Sequence, residues 1–98
     1  MRDPKVLGEV KRTLALLADK YPGKAIEVRI PPYAAVQCGA GPKHTRGTPP
    51  NVIEMNAETW LHIVYGERTW ADAYSDGLIN ASGVRADLSH LLPLAEKP

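Results

Sequence analysis

Ile26-Glu27-Val28-Arg29-Ile30 alternates apolar and charged side chains without a break, between Pro22-Gly23 and Pro31-Pro32. No other stretch constrains the fold as tightly. Successive side chains of a strand point to opposite faces, so this segment turns Ile26, Val28 and Ile30 inward and Glu27 and Arg29 outward. The two prolines end the strand or mark a sheet edge.

The elements around it follow from caps and periodicity. Asp3 is an N-cap and Pro4 falls at N1, where its missing amide costs nothing. Val6, Leu7, Val10, Leu14 and Leu17 then recur at helical spacing until Tyr21-Pro22-Gly23. This predicts a helix lying on a sheet, with a lipid-surface helix as the alternative. Tyr33–Cys38 reads as a second strand of small side chains, and Val52–Met55 as a third. Gly39–Pro50 between them holds six Gly or Pro in twelve residues, with Lys43, His44, Thr45 and Arg46 interspersed. Asn56 caps a helix over 57–65, with Trp60, Leu61 and Val64 as its buried face and Gly66 as its stop. Thr69 opens another helix, with Asp72 at N3 in a capping-box-like arrangement. Trp70, Ala73 and Tyr74 form its apolar side, and Gly77 closes it. Leu78–Ala81 reads as a short strand. Asp87 caps a last helix with Leu88, Leu91 and Leu92 inside, ended by Pro93, and the tail 95–98 is expected to be loose. The order shows no regular βαβ alternation. It predicts one α+β domain over 1–98, a mostly antiparallel sheet of about four to five strands covered by short helices.

Composition excludes several classes. Twelve basic and eleven acidic side chains leave a net charge of +1, which argues against a nucleic-acid binder. The charge is uneven: residues 1–29 hold seven basic and four acidic groups, and residues 51–98 three basic and seven acidic. An anionic partner is expected to prefer the first half. No run of residues is long and apolar enough for a transmembrane helix. One cysteine, Cys38, allows no internal disulfide and fits a reducing cytoplasm.

Catalytic and metal chemistry find little support. His44, His62 and His90 are widely spaced, and Cys38 has no partner at metal-ligand spacing. Cys38 and His44 make a nucleophile–base pair on paper, but no oxyanion arrangement accompanies them, and a small buried thiol is the commoner reading. Gly39-Ala40-Gly41 resembles the start of a dinucleotide loop, but Pro42 and Lys43 follow it. No enzyme, cofactor or metal is expected. The basic side chains and accessible amides of the loop either contact an anionic head group or are simply solvated.

Glu58–Gly66, Trp70–Gly83 and Asp87–Leu94 together resemble the C-terminal part of a sterol carrier protein-2-like domain. Leu61 and Gly66 match the end of one helix of that family, Ala73 and Gly77 the end of the next. Gly83 matches a strand end, and Leu88, Leu91 and Leu92 match a leucine-rich last helix. Arg29–Cys38 and Gly41–Val52 resemble a small bacterial branch of the family seen in actinobacteria. The resemblance implies an apolar tunnel between sheet and helices that takes sterols, fatty acids or acyl-CoA without catalysis. The chain is shorter than the family pattern, with compressed middle hairpins, so a smaller or more open cavity is expected.

The leading expectation is a cytoplasmic carrier of a fatty acyl, sterol-like or isoprenoid-like ligand. Its apolar contacts would be Ile53, Leu61, Val64, Trp70, Ala73, Leu78, Leu88, Leu91 and Leu92, and its head-group contacts Lys43, His44 and Arg46. The alternative is a protein–protein interaction module with a solid core, meeting its protein partner through Pro31-Pro32-Tyr33 and the 39–50 loop.

Overall fold

The computed structural model describes residues 3–41 and 51–96. In chain order these form α1 (Pro4–Lys20), β1 (Ile26–Ile30), β2 (Ala34–Cys38), β3 (Asn51–Glu54), α2 (Ala57–Val64), α3 (Trp70–Ser75), β4 (Asn80–Ser82) and a 3-10 turn at Ser89–Leu91. The class is α+β, as the element order predicts.

The four strands are ordered β2-β1-β3-β4. β1–β2 and β3–β4 are antiparallel, and β1–β3 is parallel. Register puts Val36, Val28, Ile53 and Ala81 in one row across the sheet. Ile26, Val28, Ile30 and Ile53 are fully buried there, beneath the helices. Burying each of these side chains contributes about 1.5–3 kcal/mol. The opposite face carries two mostly polar rows, Gln37-Glu27-Val52-Ser82 and Ala35-Arg29-Glu54-Asn80. Glu27 and Arg29 form an ion pair on it.

The helix ends follow the capping chemistry closely. The Asp3 side chain accepts from the Lys5 amide, that of Asn56 from Thr59, and that of Thr69 from Asp72. At the end of α2 the Gly66 amide donates to the Ile63 carbonyl and the Glu67 amide to that of His62. At the end of α3 the Gly77 and Leu78 amides donate to Tyr74 and Ala73. Both are Schellman closures, with Gly66 and Gly77 at positive φ.

α1 packs on β2 and α2. Two polar links set that contact. The Trp60 indole N–H donates to Thr13 Oγ1 at 2.8 Å, and the Thr13 hydroxyl donates to the Glu9 and Val10 carbonyls. The Tyr65 hydroxyl donates to Glu9 Oε2 at 2.6 Å and accepts from Arg12 Nη2 at 2.7 Å. Beyond α2, the Leu94 and Ala95 amides donate to the Val64 carbonyl, and Lys20 Nζ donates to the carbonyl of Leu94.

Three expectations need correction. The last helix is only the turn Ser89–Leu91, because Pro93 forces Leu92 into extended backbone (ψ 143). β4 starts at Asn80 and not Leu78, because the Leu78 amide is used in closing α3. On α2 the fully buried positions are Trp60, Ile63 and Val64, with Leu61 only partly covered. Among the described residues no helix is long and apolar enough to cross a membrane.

Candidate functional site

The nine expected apolar contacts divide into three sets. Ile53, Val64, Ala73 and Leu88 are completely inaccessible and belong to the main core cluster. None of the four lines the pockets described here. Trp70, Leu61 and Leu92 do line pockets. Leu91 is partly buried against the core, and Leu78 is exposed. The expected head-group contacts Lys43, His44 and Arg46 lie outside the described residues.

Trp70 is the pivot. Thr69 caps α3 and places the indole at its first turn, nearly buried. Trp70 and Ala71 line pockets on both of their sides. One pocket, about 430 Å³, is completed by Tyr74, Ala81, Gly83, Val84, Ala86 and Asp87. The other, about 320 Å³, lies between the end of α2 and the C-terminal segment, against Ile63, Gly66, Leu92 and Pro93. Its surface is mostly apolar, with Arg68, Thr69 and Ser89 as polar members. Arg68 is ion-paired to Asp76, and its Nε is buried without a hydrogen-bond partner.

The large apolar side chains exposed among the described residues are Tyr74 (55%), Leu78 (38%) and Val84 (100%). All three belong to α3 or the segments that follow it, and two line the larger Trp70 pocket. The sequence pattern points Tyr74 inward and leaves Val84 unmarked. Helical spacing places Tyr74 beside Trp70 and Ala73, but a six-residue helix buries only a narrow stripe, here Trp70 and Ala73. Val84 sits alone in a turn, where no periodicity marks it.

Asp87 gives the larger pocket a fixed negative charge. Its carboxylate accepts from the Ser89 amide at 2.8 Å, and this bond chiefly holds its pKa below the ordinary value. The residues flanking 42–50 come to the same neighbourhood. Asn51 Oδ1 accepts from the Arg85 amide at 2.9 Å, and Gly41 lies against the Arg85 side chain. Arg85 stands between Val84 and Ala86 of the pocket wall. Asn51 is almost fully buried, and its Nδ2 also donates to the Ala25 carbonyl at 2.8 Å. This polar clamp gave no sequence signal beyond an Asn at a strand start.

Cys38 ends β2 in the core, fully buried, and burial raises its thiol to about 11. A protonated thiol is a poor nucleophile. We expect Cys38 in the folded protein to resist a chromogenic aromatic disulfide at pH 8, and one thiol per chain to react after unfolding. Fast reaction in the native state at pH 7 would contradict this. The raised pKa favours the neutral thiol in the folded state. Its contribution to stability is full below about 9 and falls as pH rises towards about 11. The pairing of Cys38 with His44 lies outside the described residues. Among those described, no three His, Cys, Asp or Glu side chains gather as a metal site.

A family model described as bacterial SCP ortholog matches residues 3–94 of the chain. No curated protein matches it.

Proposed function

The chain belongs to the family of bacterial SCP orthologs, and from that membership we propose that it binds and carries a small apolar ligand, such as a fatty acid, at the surface beside Trp70. The observation that carries this reading is the placement of exposed apolar side chains. Tyr74 and Val84 lie open to water around a nearly buried Trp70 that two pockets share. Exposed apolar groups gathered around a concavity mark a binding surface more often than scattered ones do. Pockets of about 430 and 320 Å³ lie at the lower end of the range for small-molecule sites. Each chain methylene buried there contributes about 0.8 kcal/mol. The ligand then lies over the core and not within it, since Ile53, Val64, Ala73 and Leu88 are packed shut. The reading needs no cofactor and no catalytic residue.

Lys43, His44 and Arg46 are the proposed head-group contacts. The flanks of their loop, Gly41 and Asn51, both meet Arg85 beside the larger pocket, which supports the assignment. Asp87 repels an anion at this mouth, so an acidic ligand needs those cations to offset it.

Dodecanoate binding measured by calorimetry tests the reading. Trp70→Leu is expected to weaken it by about tenfold, the equivalent of roughly two buried methylenes. Changing Lys43 and Arg46 together to Ala should weaken dodecanoate and leave dodecanol unaffected. A wild-type protein that shows no saturable dodecanoate binding, or a Trp70→Leu variant that binds equally well, would reject the proposal. The packed core and the exposed Pro31 and Pro32 favour a protein-interaction module as the second reading. Absence of any apolar-ligand binding would point to it.

A further inference from the structure

A second groove, about 470 Å³, runs between α1 and α2, away from Trp70. Its floor is apolar, with Val6 from α1 and Ala57 and Leu61 from α2. Its charge is one-sided. Glu9, Glu58 and Glu67 line it, and no lysine or arginine is among the described residues of the lining. Arg12 pairs with Glu9 at 3.6 Å without lining the groove and offsets part of that carboxylate's charge, and Glu67 has an interaction partner of its own. Glu58 is exposed in the first turn of α2.

Two tyrosines and His62 complete the described lining. Tyr65 has its hydroxyl engaged by Glu9 and Arg12, so its ring is what it offers the groove. Burial first, and then the Glu9 carboxylate, raise its pKa, which keeps the phenol neutral. Tyr33 leaves the β1–β2 turn with its hydroxyl accepting from the Asp3 amide at 3.3 Å. Aromatic faces attract cations held within about 6 Å of the ring centre. An apolar floor, aromatic walls and a carboxylate rim complement one kind of molecule.

We propose that the groove between α1 and α2 binds a small organic ammonium ion with an apolar body. The site is separate from the Trp70 pockets, so the fate of fatty-acid binding leaves it untouched.

Hexyltrimethylammonium is the probe, followed by amide chemical shifts in the intact protein. Hexanoate and hexanol serve as anionic and neutral comparators. The cation should shift Glu9, Glu58 and Tyr65 saturably and bind more tightly than either comparator. Glu58→Gln should weaken it about threefold, the size of one exposed charge pair, and 0.5 M salt should weaken it similarly. Tyr33→Leu, at a separate element, should weaken the cation and leave hexanol unchanged. The proposal falls if hexanoate binds as well as the cation. It also falls if the shifts centre on Trp70 and Val84, or if both variants bind the cation like wild type.

Discussion

Trp60→Ala is expected to destabilise the protein by about 3–5 kcal/mol, the usual cost of emptying a buried tryptophan site. Trp60 is the largest side chain that is completely inaccessible. It sits where α2 crosses α1 and donates its indole N–H to Thr13. Thr13, itself fully buried, spends its own proton on the Glu9 and Val10 carbonyls and is left with lone pairs to accept the indole. Alanine removes the ring, the bond and the contact that orients α2. Domains of this size are stable by only about 5–15 kcal/mol. The expected fall in Tm therefore exceeds about 12 °C, and in the upper range the chain no longer folds. Trp60→Phe keeps most of the volume and loses the bond, so it should cost about 1–3 kcal/mol. Urea unfolding of both variants checks the ranking. A loss below about 1 kcal/mol for Trp60→Ala would mean that the two helices hold together without it.

Gly23→Ala is expected to cost about 3 kcal/mol. Gly23 has φ +142, a backbone geometry that side chains oppose, and a Cβ there would overlap the Gly39 carbonyl. That carbonyl is held in place: it accepts from the Ala25 amide at 3.0 Å, while the Gly39 amide donates to the Tyr21 carbonyl at 2.7 Å. Relieving the overlap pulls apart the contact between the end of α1 and the end of β2. Gly8→Ala is the opposite case. Gly8 lies within α1, and a Cβ there meets nothing within 4 Å. It should stabilise by about 0.5–1 kcal/mol through helix propensity alone. Thermal unfolding of the pair gives shifts of opposite sign. A neutral Gly23→Ala would show that the turn rearranges at no cost.

The two substitutions mark a boundary between what one dimension holds and what it does not. Pro22-Gly23 reads as a turn from sequence, but the approach of Gly23 to Gly39 depends on β2 returning alongside β1. Trp60 reads as an apolar position on a helix, but its partner Thr13 lies 47 residues away. Helical spacing in α2 points to Trp60, Leu61 and Val64 as the buried face and passes over Ile63. Ile63 is buried beside the pocket that Trp70, Leu92 and Pro93 line, and Leu61 stands on the groove wall against α1. The expected ligand contacts were uneven for a related reason. Bulky apolar residues can be recognised in a sequence, but whether they enclose a space depends on how densely they pack. Here Ile53, Val64, Ala73 and Leu88 closed up, and Trp70 kept an open side.

The local pieces can be read from neighbouring residues alone. The β1 alternation chose its buried face. Asp3, Asn56 and Thr69 started three helices, Gly66 and Gly77 ended two of them, and the order of elements chose the α+β class. These are decided within a few residues by steric limits and by backbone groups that need partners. Long-range packing set the parallel pairing of β1 with β3, the clamp from Asn51 to Ala25 and Arg85, the pockets flanking Trp70 and the groove dividing α1 from α2. Each joins residues far apart in the chain, and the free energy that selects it comes from burial and hydrogen bonds that exist only once the elements meet.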